Sequence, residues 1–184
     1  YALDNNACSP CAAFLSNCDT CSSTTACASC QSGYAINAST CSPCESFISG
    51  CVTCSSKTSC STCNTGANFY LSGSSCVCNS GYTLNNSVCS PCTAFLSNCA
   101  TCSSTTVCAS CQNGFAINVT TCSPCISFMV GCLTCSSKTS CSTCNTGANF
   151  YLSGSSCGCN SGYALNNSAC TLCTAFLSNC ATCS

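Results

Sequence analysis

Cysteine is the residue whose abundance and spacing could carry chemistry in this chain. The stretch CSPCESFISGCVTC, residues 41–54, holds two CxxC pairs six residues apart, and 32 of the 184 residues are cysteine. Pairs at that spacing can ligate zinc, cycle as a redox dithiol or close into structural cross-links. Charge separates the three. Zinc on four thiolates leaves a net charge of about minus two, and filling the sixteen pairs of CxxC type two at a time would create eight such sites. Only two lysines, Lys57 and Lys138, stand against them, with no arginine and no histidine. A reactive dithiol needs an electropositive setting on a βαβ scaffold, whereas near-equivalent motifs recurring along the whole chain read as architecture. Structural disulfides are the expected use, with no metal, cofactor or catalytic residue.

About one residue in six is cysteine, well above the ~8–10% at which a secreted disulfide scaffold is the default. Without its cysteines, the 46% apolar fraction shrinks to about 53 residues, too few for a large core, so cross-links must replace missing burial. The expected disulfide cysteines in the first half are Cys8, Cys11, Cys18, Cys21, Cys27, Cys30, Cys41, Cys44, Cys51, Cys54, Cys60, Cys63, Cys76, Cys78, Cys89 and Cys92. Those in the second are Cys99, Cys102, Cys108, Cys111, Cys122, Cys125, Cys132, Cys135, Cys141, Cys144, Cys157, Cys159, Cys170, Cys173, Cys180 and Cys183. Spacing alone does not fix their connectivity. Closure within a CxxC is strained, and an interleaved pairing, first to third and second to fourth, is favoured: Cys8 with Cys18, Cys11 with Cys21. Cysteines near the ends are expected to have partners outside this sequence.

The elements that position these cysteines repeat. Residues 8–88 align with 89–169 without a gap and with fourteen differences, an 81-residue period. Each period divides into sub-units of 33, 35 and 13 residues: 8–40, 41–75 and 76–88, then 89–121, 122–156 and 157–169. Residues 1–7 read as the tail of a preceding copy and 170–184 as the start of a third, so a longer parent is expected.

In the 33- and 35-residue sub-units and at the start of the third copy, SPCAAFLSN, SPCESFISG, SPCTAFLSN, SPCISFMVG and TLCTAFLSN begin with a hydroxyl residue able to cap a helix and end in Asn or Gly, residues that close one. Ser42 and Glu45 form an S-x-x-E capping box. Five helices of about two turns follow, with Phe14, Phe47, Phe95, Phe128 and Phe176 packing on the sulfurs. GYAINASTC, GFAINVTTC and NFYLSGSSCVC set aromatic and branched residues beside turn formers, the pattern of short β-hairpins. The fold class expected is a small disulfide-rich repeat protein, an extended rod or solenoid of short β-hairpins and two-turn helices, mostly irregular.

Glycosylation signals agree with the oxidising compartment that disulfides imply. Asn37, Asn85, Asn118 and Asn166 open N-x-S/T sequons, each in the turn before a sub-unit boundary cysteine. Asp4 replaces the asparagine at the equivalent earlier position. Serine and threonine clusters such as SSTT could carry O-linked sugar. Five charged side chains leave no basic footprint for nucleic acid. The longest apolar patch, ISFMVGCL at 126–133, is far short of a membrane span.

CxxC pairs separated by six and five residues, followed by a GY-x-[LI]-N turn and a further cysteine, resemble the cysteine-rich repeats of ciliate surface (immobilisation) antigens. They are similar more distantly to diplomonad variant surface proteins and to furin-like growth-factor-receptor repeats. The likeness covers the whole chain. It implies an abundant, glycosylated, extracellular protein at the cell surface, held to membrane only through an anchor outside this sequence. The spacing departs from the furin-like pattern, which often has three residues where this chain has two.

Without histidine or arginine, and with only Asp4, Asp19 and Glu45 as carboxylates, no acid–base or nucleophilic machinery is in view. The expected function is structural, a surface coat, fibre or filament built by self-association of repeats. A ligand- or receptor-binding ectodomain is the competing expectation, and metallothionein-like metal binding the third. Differences between copies, such as Asp19 against Ala100 and Glu45 against Ile126, are contact positions if one copy binds alone.

Overall fold

The computed structural model describes residues 1–4, 7–176, 178 and 180–183. The chain forms two compact units, Tyr1–Ser90 and Pro91–Ser184. Among the described residues every sheet is a two-stranded antiparallel hairpin, and no helix is long and apolar enough to cross a membrane. More than half of the chain is strand, so the expectation of a mostly irregular chain with minor strands is corrected.

Three hairpin types alternate with single helical turns. In the first unit, Cys18–Ser23 pairs with Ala26–Cys30 and Cys51–Ser56 with Ser59–Cys63, each with register shifts along the pairing. These serine- and cysteine-rich hairpins lack an aliphatic alternation and were not foreseen. Tyr34–Asn37 pairs with Thr40–Pro43, and Phe69–Ser72 with Ser75–Cys78, in regular register, as their aromatic and branched residues imply. A further hairpin of the same length, Tyr82–Asn85 with Val88–Pro91, follows. The second unit repeats the series in Cys99–Ser104 with Val107–Cys111, Phe115–Asn118 with Thr121–Pro124, Cys132–Ser137 with Ser140–Cys144, and Phe150–Ser153 with Ser156–Cys159.

The five expected two-turn helices are single 3-10 turns, Cys11–Ala13, Cys44–Ser46, Cys92–Ala94, Cys125–Ser127 and Cys173–Ala175. The capping position falls on Pro10, Pro43, Pro91, Pro124 and Leu172, none of which supplies a side-chain cap. The Ser42–Glu45 capping box therefore does not form. Left-handed closure holds: Asn17, Gly50, Asn98 and Gly131 have φ of 60°, 74°, 60° and 75°. Asn179 lies outside the described residues.

The phenylalanines do not pack on the sulfurs. Phe14, Phe95 and Phe176 are 36%, 38% and 48% exposed, while the next residue, Leu15, Ile48, Leu96 or Met129, packs on the cysteine cluster. The cause is the shortness of the turn: the Phe14 and Phe47 amides bond back three residues to the Cys11 and Cys44 carbonyls at 3.0 and 3.1 Å and already stand at the end of the turn. Phe69 and Phe150, on the hairpins, are the buried aromatics.

Val119, in the turn between Asn118 and Thr121, has φ of 61° with its side chain 84% exposed. A β-branched residue there is strained by about 1–2 kcal/mol. Val119→Gly keeps the N-x-T sequon and is expected to stabilise by about 0.5–1 kcal/mol, after the extra freedom glycine gives the unfolded chain. A higher denaturant midpoint at unchanged slope would register this; an unchanged or lower midpoint would refute it.

Candidate functional site

The disulfides supply the core. Cys11–Cys21 ties a helical turn to its hairpin, Cys18–Cys27 crosses that hairpin, and Cys30–Cys41 ties it to the next. The same three steps recur as Cys44–Cys54, Cys51–Cys60 and Cys63–Cys76. In the second unit they are Cys92–Cys102, Cys99–Cys108, Cys111–Cys122, then Cys125–Cys135, Cys132–Cys141, Cys144–Cys157. Cys78–Cys89 ties the Ser75–Cys78 strand to the following hairpin strand Val88–Pro91, Cys159–Cys170 ties Ser156–Cys159 to Ala169–Leu172 in the same way, and Cys173–Cys183 begins the series again.

The expected Cys11–Cys21 pairing is present, but the Cys8–Cys18 pairing is corrected, because Cys18 lies diagonally across its hairpin from Cys27. Cys8 and Cys180 form no disulfide among the described residues. By repeat register their counterparts Cys89 and Cys99 bond to Cys78 and Cys108, positions whose equivalents fall outside residues 1–184.

Neighbouring disulfides touch. Cys27 Sγ lies 3.3 Å from Cys41 Sγ, and Cys60, Cys108 and Cys141 lie 3.3, 3.4 and 3.4 Å from Cys76, Cys122 and Cys157. Each contact belongs to a group of three sulfurs, such as Cys18, Cys27 and Cys41, within 4.8 Å of one another. That compactness suits a soft metal, but all three sulfurs are already bonded to sulfur, and a thiolate is the ligand metal requires.

A cleft of about 320 Å³ opens in the first unit among Gly33, Tyr34, Pro43, Glu45, Gly50, Cys51, Val52 and Asn64. Three of these eight differ in the second copy, where Phe115, Ile126 and Leu133 stand for Tyr34, Glu45 and Val52. Divergence is thus denser here than the fourteen differences over the whole period, and it removes the cleft's carboxylate and phenol.

The four sequon asparagines occupy equivalent places, the last residue of strands Tyr34–Asn37, Tyr82–Asn85, Phe115–Asn118 and Tyr163–Asn166. Their turns are of two kinds. Ala38 and Val119 alone carry a left-handed φ in the first, as in type II′ turns. In the second, Asn86 with Ser87, and Asn167 with Ser168, are both left-handed, as in type I′.

Both lysines converge on the first kind. Lys57 Nζ donates to Asn37 Oδ1 at 2.7 Å and lies 5.5 Å from the centroid of the Phe47 ring. Lys138 makes the same contacts with Asn118 Oδ1 and Phe128, at 2.7 and 5.5 Å. This arrangement escaped sequence reasoning. Its one signal was the register of the two lysines, 81 residues apart and each 20 residues after a sequon.

No protein-family model, no curated protein and no solved structure matches this chain.

Proposed function

We propose that this chain is a structural extracellular glycoprotein whose tandem disulfide-stapled modules build a surface coat, fibre or filament, extended as a rod or solenoid. The observation that carries this is the recurrence of one stapling scheme, with fifteen disulfides among the described residues, on two near-identical copies of the same hairpin series. Such density of disulfides is typical of secreted proteins. Equivalent modules offer one surface at regular intervals, and each two-stranded hairpin leaves strand edges without sheet partners, the feature through which chains associate. A net charge of −1 supplies little repulsion, and glycans at Asn37, Asn85, Asn118 and Asn166 would supply the solubility that charge does not. The likeness to ciliate surface antigens points the same way. The role is non-catalytic.

The cleft beside Glu45 favours a second function, a binding ectodomain in which the first unit alone takes a small ligand, because divergence between copies concentrates there.

Intact mass before and after enzymatic deglycosylation, with thiol labelling of the denatured unreduced chain, is the test. Sugar at the four sequons and at most two labelled thiols are expected, and filaments by electron microscopy. Many labelled thiols with co-purifying zinc or copper and no sugar would refute the proposal and return the cysteines to metal binding. A monodisperse glycoprotein that saturates with one small ligand per chain, lost in Glu45→Ile, would establish the second function.

A further inference from the structure

We infer that Lys57 and Lys138 are positioning residues for two N-glycans, clamping the side-chain amides of Asn37 and Asn118 so that the sugar leaves each in one fixed direction. This rests on the proposal that the sequons are glycosylated.

The chemistry of the linkage makes the clamp compatible with a sugar. In N-glycosylation C1 of an activated, diphosphate-linked sugar donor breaks its bond to the phosphate oxygen and bonds Asn Nδ2; the diphosphate leaves, the amide gives up one proton, and Oδ1 stays an acceptor. Lys57 Nζ holds Asn37 Oδ1 at 2.7 Å, and Asn37 Nδ2 donates to Ser42 Oγ at 3.4 Å. Lys138 and Ser123 hold Asn118 in the same way, at 2.7 and 3.4 Å. Of the two Nδ2 hydrogens, one is engaged and one is free. The glycan takes the free position while both ends of the amide keep their partners, and the fixed amide plane fixes the direction of the N–C1 bond.

The lysines are themselves placed. Each side chain extends from a hairpin turn over the ring of Phe47 or Phe128, a cation–π contact, and these rings are partly covered where Phe14, Phe95 and Phe176 are exposed. With two lysines in the chain and both engaged, none is left for Asn85 or Asn166. Exposure does not separate the classes: each contains one exposed asparagine, Asn37 or Asn166, and one half-buried, Asn118 or Asn85. Turn type does separate them, with one left-handed residue after Asn37 and Asn118 and two after Asn85 and Asn166, so the part of any difference that the lysine substitutions remove is what reports the clamp.

The test uses the secreted, fully oxidised glycoprotein and site-resolved mass spectrometry. A peptide-N-glycosidase, which must reach the Asn amide, is expected to release sugar from Asn37 and Asn118 about two- to fivefold more slowly than from Asn85 and Asn166, the scale of one exposed charge-assisted hydrogen bond. The Lys57→Ala/Lys138→Ala variant is expected to abolish that difference. Equal release at all four sites, or slow sites unmoved by the lysine substitutions, would overturn the inference. A second readout needs no sugar. In the oxidised chain made without glycosylation, Asn37→Ala and Asn118→Ala are expected to raise acylation of Lys57 and Lys138 by acetic anhydride by a similar factor; unchanged rates overturn the clamp. Sugar absent from every sequon overturns the glycoprotein proposal, and the acylation rates then decide the clamp separately.

Discussion

Complete reduction of the disulfides under otherwise native conditions is expected to unfold the hairpins at 25 °C, with loss of amide dispersion in the NMR spectrum. The buried cores are mostly sulfur: in the second unit Cys125, Cys132, Cys141 and Cys144 cluster with one aromatic ring, Phe150, and in the first Cys44, Cys51 and Cys60 form a cluster against which Ile48 packs. Isolated two-stranded hairpins are marginal in water, and a chain with so few other apolar residues cannot regain by collapse what the cross-links supply. A single staple grades the effect. Cys132–Cys141 spans nine residues and both sulfurs are buried, so replacing the pair by serine loses about 2–3 kcal/mol of loop closure and buries two hydroxyls as well. The expected total is about 3–5 kcal/mol, read from chemical denaturation of the oxidised variant. Native dispersion surviving full reduction would show that contacts other than sulfur hold the fold.

How much of this was legible in the sequence depended on what sets each element. The Tyr34–Asn37 and Phe69–Ser72 hairpins were legible because aromatic alternation and Gly or Asn turns write them locally. The Cys18–Ser23 hairpin was not, since CDTCSSTTACASC has no aliphatic stripe, and its strands are held by a diagonal disulfide and by a bond between the Thr20 and Ser29 hydroxyls. Phe14 was expected inside because a two-turn helix would face it to the sulfurs; a single 3-10 turn ending in left-handed Asn17 shifts that role to Leu15. Cysteine spacing restricted the pairing without fixing it, since Cys18 is close enough in sequence to reach either Cys8 or Cys27, and strand register makes the choice. Sequon positions are local and were readable. The lysine contacts on Asn37 and Asn118 join separate hairpins, and nothing local in the sequence encodes them.

Gly131→Ala is expected to destabilise the second unit by about 3–5 kcal/mol, and Gly50→Ala the first by as much. Asn and Gly alternate at this position, and the structure supplies the reason. A Cβ on Gly131 would lie 2.4–2.7 Å from ring atoms of Phe150, and one on Gly50 2.5–2.7 Å from those of Phe69. Each ring is 3% exposed, so it cannot swing away into solvent. The backbone adds a smaller penalty, with φ of 75° at Gly131 and 74° at Gly50. Asn17 and Asn98 adopt the same left-handed turn in modules that lack the buried Phe69 or Phe150 hairpin. Backbone and ring terms separate in a double-mutant cycle. With Phe150 already replaced by alanine, itself costing about 3–5 kcal/mol, Gly131→Ala should cost only the ~1–2 kcal/mol of the left-handed conformation. Gly131→Asn, following Asn17 and Asn98, should then cost less than Gly131→Ala. Equal losses for Gly131→Ala with and without the Phe150 ring would show that the close contact does not select glycine here, leaving the backbone turn alone to account for it.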